Sequence, residues 1–294
     1  MIKGYFQGLH PAVSFTYFAA VIGMTLACMH PVLSPLSFLG AAAFLVCLKG
    51  WKRLLGTMRF LLPMMLVIVV ANPLFNHRGV TMLFVLFDQW ITLEAIGYGA
   101  VSACQLAAVV LWFACYQEVI TSDKFLFLFG QIAPAAALLI TLTLRLIPQL
   151  KSMAEEIRQV QGTLHGEENR LTQRMAAAAR NLSVLLTWSM ENAVQTADSM
   201  KARGFGQRRR TTYHLFRFDS RDARCLGLIA ALLAAAILFR IFGFGYVEFY
   251  PRIRSLAEGA GNLWQGGILI LLYFLPGLLE KKEALRWRSY SMTA

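Results

Sequence analysis

What most constrains this chain is a succession of long runs without charge. Uncharged apolar segments cover 11–29, 31–48, 60–75, 95–117, 125–144, 225–239 and 259–279. A helix needs about 20 apolar residues to cross a hydrocarbon core. Backbone in lipid must also satisfy its own hydrogen bonds, which leaves the helix as the natural solution. The runs predict an all-α polytopic membrane protein. Composition agrees: 57 % of residues are hydrophobic and 15 % charged, against about 25 % charged in soluble domains. The opening "MIKGYFQGLHPAVSF" has no small-residue cleavage site closing its apolar run, so it is expected to remain as part of the first span.

Charge decides which runs cross. The net charge is +12, and in a membrane protein the first explanation is a bias of basic residues toward the cytoplasmic loops rather than nucleic-acid binding. If 125–144 stays on one side, six spans remain and both termini are cytoplasmic. All 28 basic residues except Arg78, Arg240, Arg252 and Arg254 then share the cytoplasmic side. If 125–144 crossed, the basic residues from Arg145 to Arg224 would lie outside. The six-span arrangement at a cell membrane is therefore expected. Segment 125–144, "FLFLFGQIAPAAALLITLTL", becomes apolar helix that lies along the membrane surface or against protein, broken near Gly130, with Pro134 opening a new helix. The chain then divides into four spans over 1–117, a cytoplasmic module over 118–224, and two spans with a basic tail over 225–294. The stretch 49–59 reads as a cytoplasmic loop.

The outer connection 72–93 has strand character. "NHRG" reads as a turn and "VTMLFVLF" as β-rich, which predicts a short hairpin. Asn76, His77 and Arg78 read first as a capped, solvated loop.

The cytoplasmic module holds two long helices, over about 135–162 and 171–204. The second is rich in Ala and Met and free of internal Gly and Pro, all favourable to helix. About 33 residues at 1.5 Å each make a rod of roughly 50 Å. Met175, Ala178, Ala179, Leu182, Leu185, Leu186, Trp188, Ala193, Ala197 and Met200 fall near one stripe. Gln173, Arg180, Asn181, Glu191, Gln195 and Asp198 lie opposite. The small residues suit close packing on the 135–161 helix across the "TLHGEENR" turn. Two helices cannot cover so much apolar face, which marks the module as an interaction surface.

Catalytic constellations are missing from the sequence. It has no P-loop, HExxH, GxSxG or Cys/His cluster. Cys28, Cys47, Cys104, Cys115 and Cys225 lie singly in or beside apolar segments and read as buried thiols. The five histidines are scattered. Glu155–Glu156 and Glu167–Glu168 are adjacent pairs that diverge on a helix. "GFG" at 204–206 follows a helix rather than a strand and reads as a C-cap. The span cores lack ionisable residues, which weighs against autonomous ion-coupled transport. No cofactor, metal or nucleic-acid partner is expected. The rival reading is a self-sufficient secondary transporter or channel, which would need polar groups between its spans.

The end of the long helix, "ADSMKARGFG" at 197–206, resembles the transmembrane component of energy-coupling factor transporters, the T component of vitamin and metal-ion importers. "RLIP" at 145–148 with "AEEIRQVQG" at 154–162, "ANPLFNHRG" at 71–79 and "ITLEAIGYG" at 91–99 are similar to the same family. The resemblance implies a non-catalytic scaffold. Two helix ends, each centred on an arginine, engage two ATP-binding cassette ATPase subunits, and an apolar surface holds a small substrate-binding membrane subunit. Arg203, flanked by Ala202 and Gly204, is then the ATPase contact. The first motif departs from the family pattern: its counterpart falls on Thr163, Leu164 and His165, without arginine. Either Gln161 or His165 grips the partner differently, or the register shifts toward Gly166. A heterodimeric ATPase pair would suit that asymmetry. Arg208, Arg209 and Arg210 read first as the positive flank of the next span, and second as further ATPase or lipid contacts.

Overall fold

The computed structural model describes residues 5–76, 80–86, 89–130, 132–165, 171–207, 216–242 and 260–292. Helices dominate these residues: α1 (Tyr5–Gly8), α2 (Pro11–Ala27), α3 (Leu33–Lys49), α4 (Trp51–Phe75), α5 (Leu93–Val119), α6 (Ser122–Gly130), α7 (Pro134–His165), α8 (Leu171–Ala202), α9 (Ser220–Ile241) and α10 (Ala260–Met292). Between α4 and α5 an antiparallel hairpin joins β1 (Met82–Leu86) to β2 (Gln89–Thr92). Helices α4, α5, α7 and α9 are long and apolar enough to cross a membrane, and α2, α3 and 264–280 are shorter apolar helices. The architecture is that of an α-helical membrane protein.

The chain forms two compact units. One combines 1–125 with 216–294, and the other is 126–215. In the first, α5 packs against α2, α3 and α4, while α10 packs against α3 and α9. Small residues set the closest crossings. A side chain on Gly40 would meet the Cβ of Tyr273 at 3.1 Å, and one on Gly99 would meet the Cβ of Asn72 at 3.0 Å. The core is aromatic. Phe6, Tyr17, Phe18, Phe44, Trp112 and Tyr273 are all buried, with Phe6–Tyr17 ring centroids at 5.1 Å and Tyr17–Trp112 at 6.1 Å in edge-to-face geometry. Buried hydroxyls run through it: the Trp112 indole N–H donates to Ser37 Oγ at 3.0 Å, and Ser37 meets Thr25 Oγ1 at 3.0 Å.

The stretch 49–59 is not a loop. Helix α3 ends at Lys49 and α4 begins at Trp51, with Gly50 alone between them at φ 79°. That left-handed value suits glycine and lets two helices meet at a one-residue corner. The five cysteines also divide differently from the expectation of uniform burial: Cys28 and Cys115 are buried, Cys104 and Cys225 half-buried and Cys47 exposed. Cys47 lies on the outward side of a helix that is covered on its other side only.

The C-terminus of α2 shows why polar side chains occur in otherwise apolar helices. The last carbonyls of a helix lack intrahelical donors. Here the Gln105 amide donates to the carbonyls of Thr25 at 2.9 Å and Leu26 at 3.2 Å, and the Arg240 guanidinium donates to that of Ala27 at 3.0 Å. Gln105→Leu should cost about 1–3 kcal/mol, because it leaves the buried Thr25 carbonyl unpaired. A thermal melt of the purified protein that matches wild type would contradict this.

The other end of α2 is tied to α9. The His10 side chain caps α2 by accepting the Ala12 N–H at 3.3 Å, and its backbone N–H reaches Asp222 Oδ1 at 3.4 Å. Asp222 is buried and forms a capping box with Asp219. Burial lowers the His10 pKa below its ordinary 6.5, against an opposing pull from Asp222, and burial likewise lowers that of His30. The unfolded chain therefore takes up protons more readily than the native one, so stability rises with pH in that range. The contribution is complete above 6.5 and declines as pH falls through the lowered native values. Melting points should drop on acidification below 6.5, and less so in His30→Gln.

Candidate coupling site at the helix ends

In the second unit α7 and α8 pack on each other. Pro134 opens α7, where its missing N–H is harmless. Ile157 is buried, and half-buried residues recur along α7 at Leu142, Leu146, Leu150, Met153 and Gln161. On α8 the half-buried positions are Ala177, Arg180, Asn181, Leu185, Trp188, Ser189, Asn192, Thr196 and Met200. This is not the single apolar stripe expected from the sequence. Leu185, Trp188 and Met200 are partly covered, whereas Met175, Leu182, Leu186 and Met190 are exposed, Met175 and Met190 by more than 70 %. The covered face mixes small and polar residues with Leu185, Trp188 and Met200, and a second apolar face is left open. Packing follows shape: Ala177 and Thr196 allow closer approach than Met190 would.

The end of α8 is a defined stop. The Gly204 N–H donates to the Lys201 carbonyl at 2.9 Å and the Phe205 N–H to that of Met200 at 3.0 Å. Gly204 has φ 79°. This crossed pair around a left-handed glycine is the Schellman arrangement. It makes Arg203 the last residue before the reversal, its own N–H still bonded to Ser199 O at 3.2 Å. Ala202 and Arg203 are exposed and Gly204 is half-buried. Arg203 forms no ion pair among the described residues. A rigid helix end thus presents a guanidinium between two residues with little or no side chain. Its planar fork can take a carboxylate through two parallel hydrogen bonds. Arg208, Arg209 and Arg210 lie outside the described residues.

The end of α7 offers different chemistry. Thr163, Leu164 and His165 form its last turn. Thr163 Oγ1 donates back to the Val160 carbonyl at 2.7 Å, so its hydroxyl hydrogen is used within the helix. Leu164 is 69 % exposed. Gln161 is half-buried with its Oε1 lacking a partner among the described residues. Gly166 lies outside them. The two ends are also far apart: α8 has 32 residues, about 48 Å of helix, between the α7–α8 connection and Arg203. The structure does not bring the two sets of residues into one site.

Sequence reasoning overlooked Glu94, a buried carboxylate in the first turn of α5 that accepts from the Thr81 hydroxyl and backbone N–H. An acid in the first turn of a helix after a strand is a recognisable signal. The clamp ties the hairpin to α5 and holds a loop rather than a substrate. Among the described residues no group of three or more His, Cys, Asp or Glu side chains is placed to hold a metal ion. No protein-family model matches the chain, and no curated protein matches it significantly.

Proposed function

We propose that the chain is the transmembrane scaffold of an ATP-driven importer of the energy-coupling factor type. One observation carries the reading. A 32-residue helix in a separate helical unit ends in a Schellman cap that displays Arg203 between Ala202 and Gly204. In this reading α2, α3, α4, α5, α9 and α10 are the six spans, and both termini with the α7–α8 unit are cytoplasmic, as the basic residues favour. Helix α7 is long enough to cross, but crossing would carry the basic α8 region outside. Arg203 docks on one ATP-binding cassette ATPase and the end of α7 on the other. The 48 Å of helix between them suits two separate subunits. The open apolar face of α8, around Leu182, Leu186 and Met190, receives the small substrate-binding membrane subunit. Hydrolysis belongs to the ATPases, and the scaffold transmits their motion to uptake of a vitamin or metal ion.

The test is affinity purification of the tagged full-length chain from its native membrane. Two ATPases and a small membrane protein are expected to accompany it, with ATP-dependent uptake after reconstitution. Recovery of the chain alone, with ion-driven transport in liposomes, would establish the rival class.

A further inference from the structure

Helix α4 places two cations on an outward apolar stripe. At 100° per residue, Trp51, Leu55, Arg59, Leu62 and Leu66 fall within one narrow strip of the helix, and Lys52 borders it. All six are exposed, Trp51 by 63 % and Leu66 by 66 %. The neighbouring cations are already engaged: Lys49 meets Glu118 at 2.9 Å and Arg53 meets the same carboxylate at 4.0 Å. Lys52 and Arg59 form no ion pair among the described residues.

In a helix long and apolar enough to cross a membrane, an exposed apolar stripe is the face turned to lipid. A cation on that face is costly unless it reaches the interface and meets a counter-charge. The long stems of Lys52 and Arg59 allow that reach. They are seven residues apart, about 10 Å along the axis, and both belong to the end that carries Trp51, a side chain suited to headgroup depth. Without a protein carboxylate, the matching anion is a lipid phosphate. The stripe continues into Leu62 and Leu66, which supply the apolar wall for acyl chains.

We propose that Lys52, Arg59 and Trp51 form a binding site for an anionic phospholipid of the phosphatidylglycerol type. The site is independent of any transport role. Lys52 and Arg59 hold the phosphate, Trp51 flanks the headgroup on its outer side, and Leu62 and Leu66 line the chains.

The test uses the full-length protein in nanodiscs with equal phosphatidylglycerol and phosphatidylcholine, reading retained lipid by native mass spectrometry. Wild type is expected to keep phosphatidylglycerol preferentially. The pair Lys52→Gln and Arg59→Gln should lower that preference by about thirtyfold, equivalent to about 2 kcal/mol for two interfacial cations. The pair Lys151→Gln and Arg158→Gln, on exposed positions of α7, removes the same charge and should leave the preference intact. Should the α4 pair fail to fold, Lys52→Gln alone is expected to lose part of the preference, and full retention there would count against the site. No preference in wild type, or a preference that survives the α4 pair, would overturn the proposal. Equal loss in the α7 pair would overturn it too, by assigning the effect to net charge.

Discussion

Arg203→Glu should abolish productive coupling while leaving the membrane unit folded. The guanidinium is exposed and bonded to nothing described in the chain, so its loss removes no internal contact. On the proposed reading the same guanidinium is docked against an ATPase, and its loss there is different. Removing one partner of a desolvated charge pair costs about 2–5 kcal/mol, and reversal adds repulsion. ATP-driven uptake should therefore fall by at least about thirtyfold, with matching loss of co-purified ATPase. Arg203→Lys should be intermediate, because an ammonium keeps the charge but not the planar fork. Lys151→Glu, an exposed charge reversal near the middle of α7, should have little effect. If ATPase recovery and uptake both survive Arg203→Glu, the coupling role of this residue is wrong.

The largest stability effect is expected in the membrane unit. Trp112 is fully buried and contacts four aromatic rings, those of Tyr17, Phe18, Phe44 and Tyr273. Trp112→Ala leaves a large apolar cavity and should cost about 3–5 kcal/mol. It also removes the indole N–H from Ser37, whose Oγ keeps the contact with Thr25. Trp112→Phe keeps most of the ring packing and should cost clearly less. Thermal unfolding in detergent with a size-exclusion readout separates the two. Equal melting points for Trp112→Ala and wild type would mean that the aromatic cluster does not organise the core.

Local signals in the sequence carried well into the structure. Pro134 begins a helix because its ring presets the backbone and its missing N–H is harmless there. Gly204 ends one because only glycine adopts φ 79° without strain. The β-rich stretch after Asn76 pairs as a hairpin. The continuity of α4 through 51–59 was hidden, because a basic run beside glycine is as compatible with a loop as with an interfacial helix. The inner face of α8 was hidden too, since helical period identifies a stripe but not which side a neighbour covers. Gln105, Arg240 and Asp222 depend on partners 79 to 213 residues away, and nothing near them in sequence announces those bonds. At the candidate coupling site, the arginine and its glycine stop were legible from ten residues. The contrasting chemistry of the α7 end was not, because the back-bonded Thr163 and the exposed Leu164 emerge only in three dimensions.

The division of the chain has a consequence for its biosynthesis. The first unit draws on both ends of the sequence. Its core needs Leu269, Leu272 and Tyr273 beside Tyr17 and Trp112, and the Tyr17 hydroxyl bonds the Leu272 carbonyl across 255 residues. A ribosome from whose exit tunnel residue 215 has just emerged has therefore released every residue of the second unit but only part of the first. The α7–α8 pair can form on the nascent chain while the aromatic core still lacks a wall. Translational arrest at that point should expose Tyr17 and Trp112, and a chain lacking α9 and α10 should be a preferred target for membrane quality-control proteases.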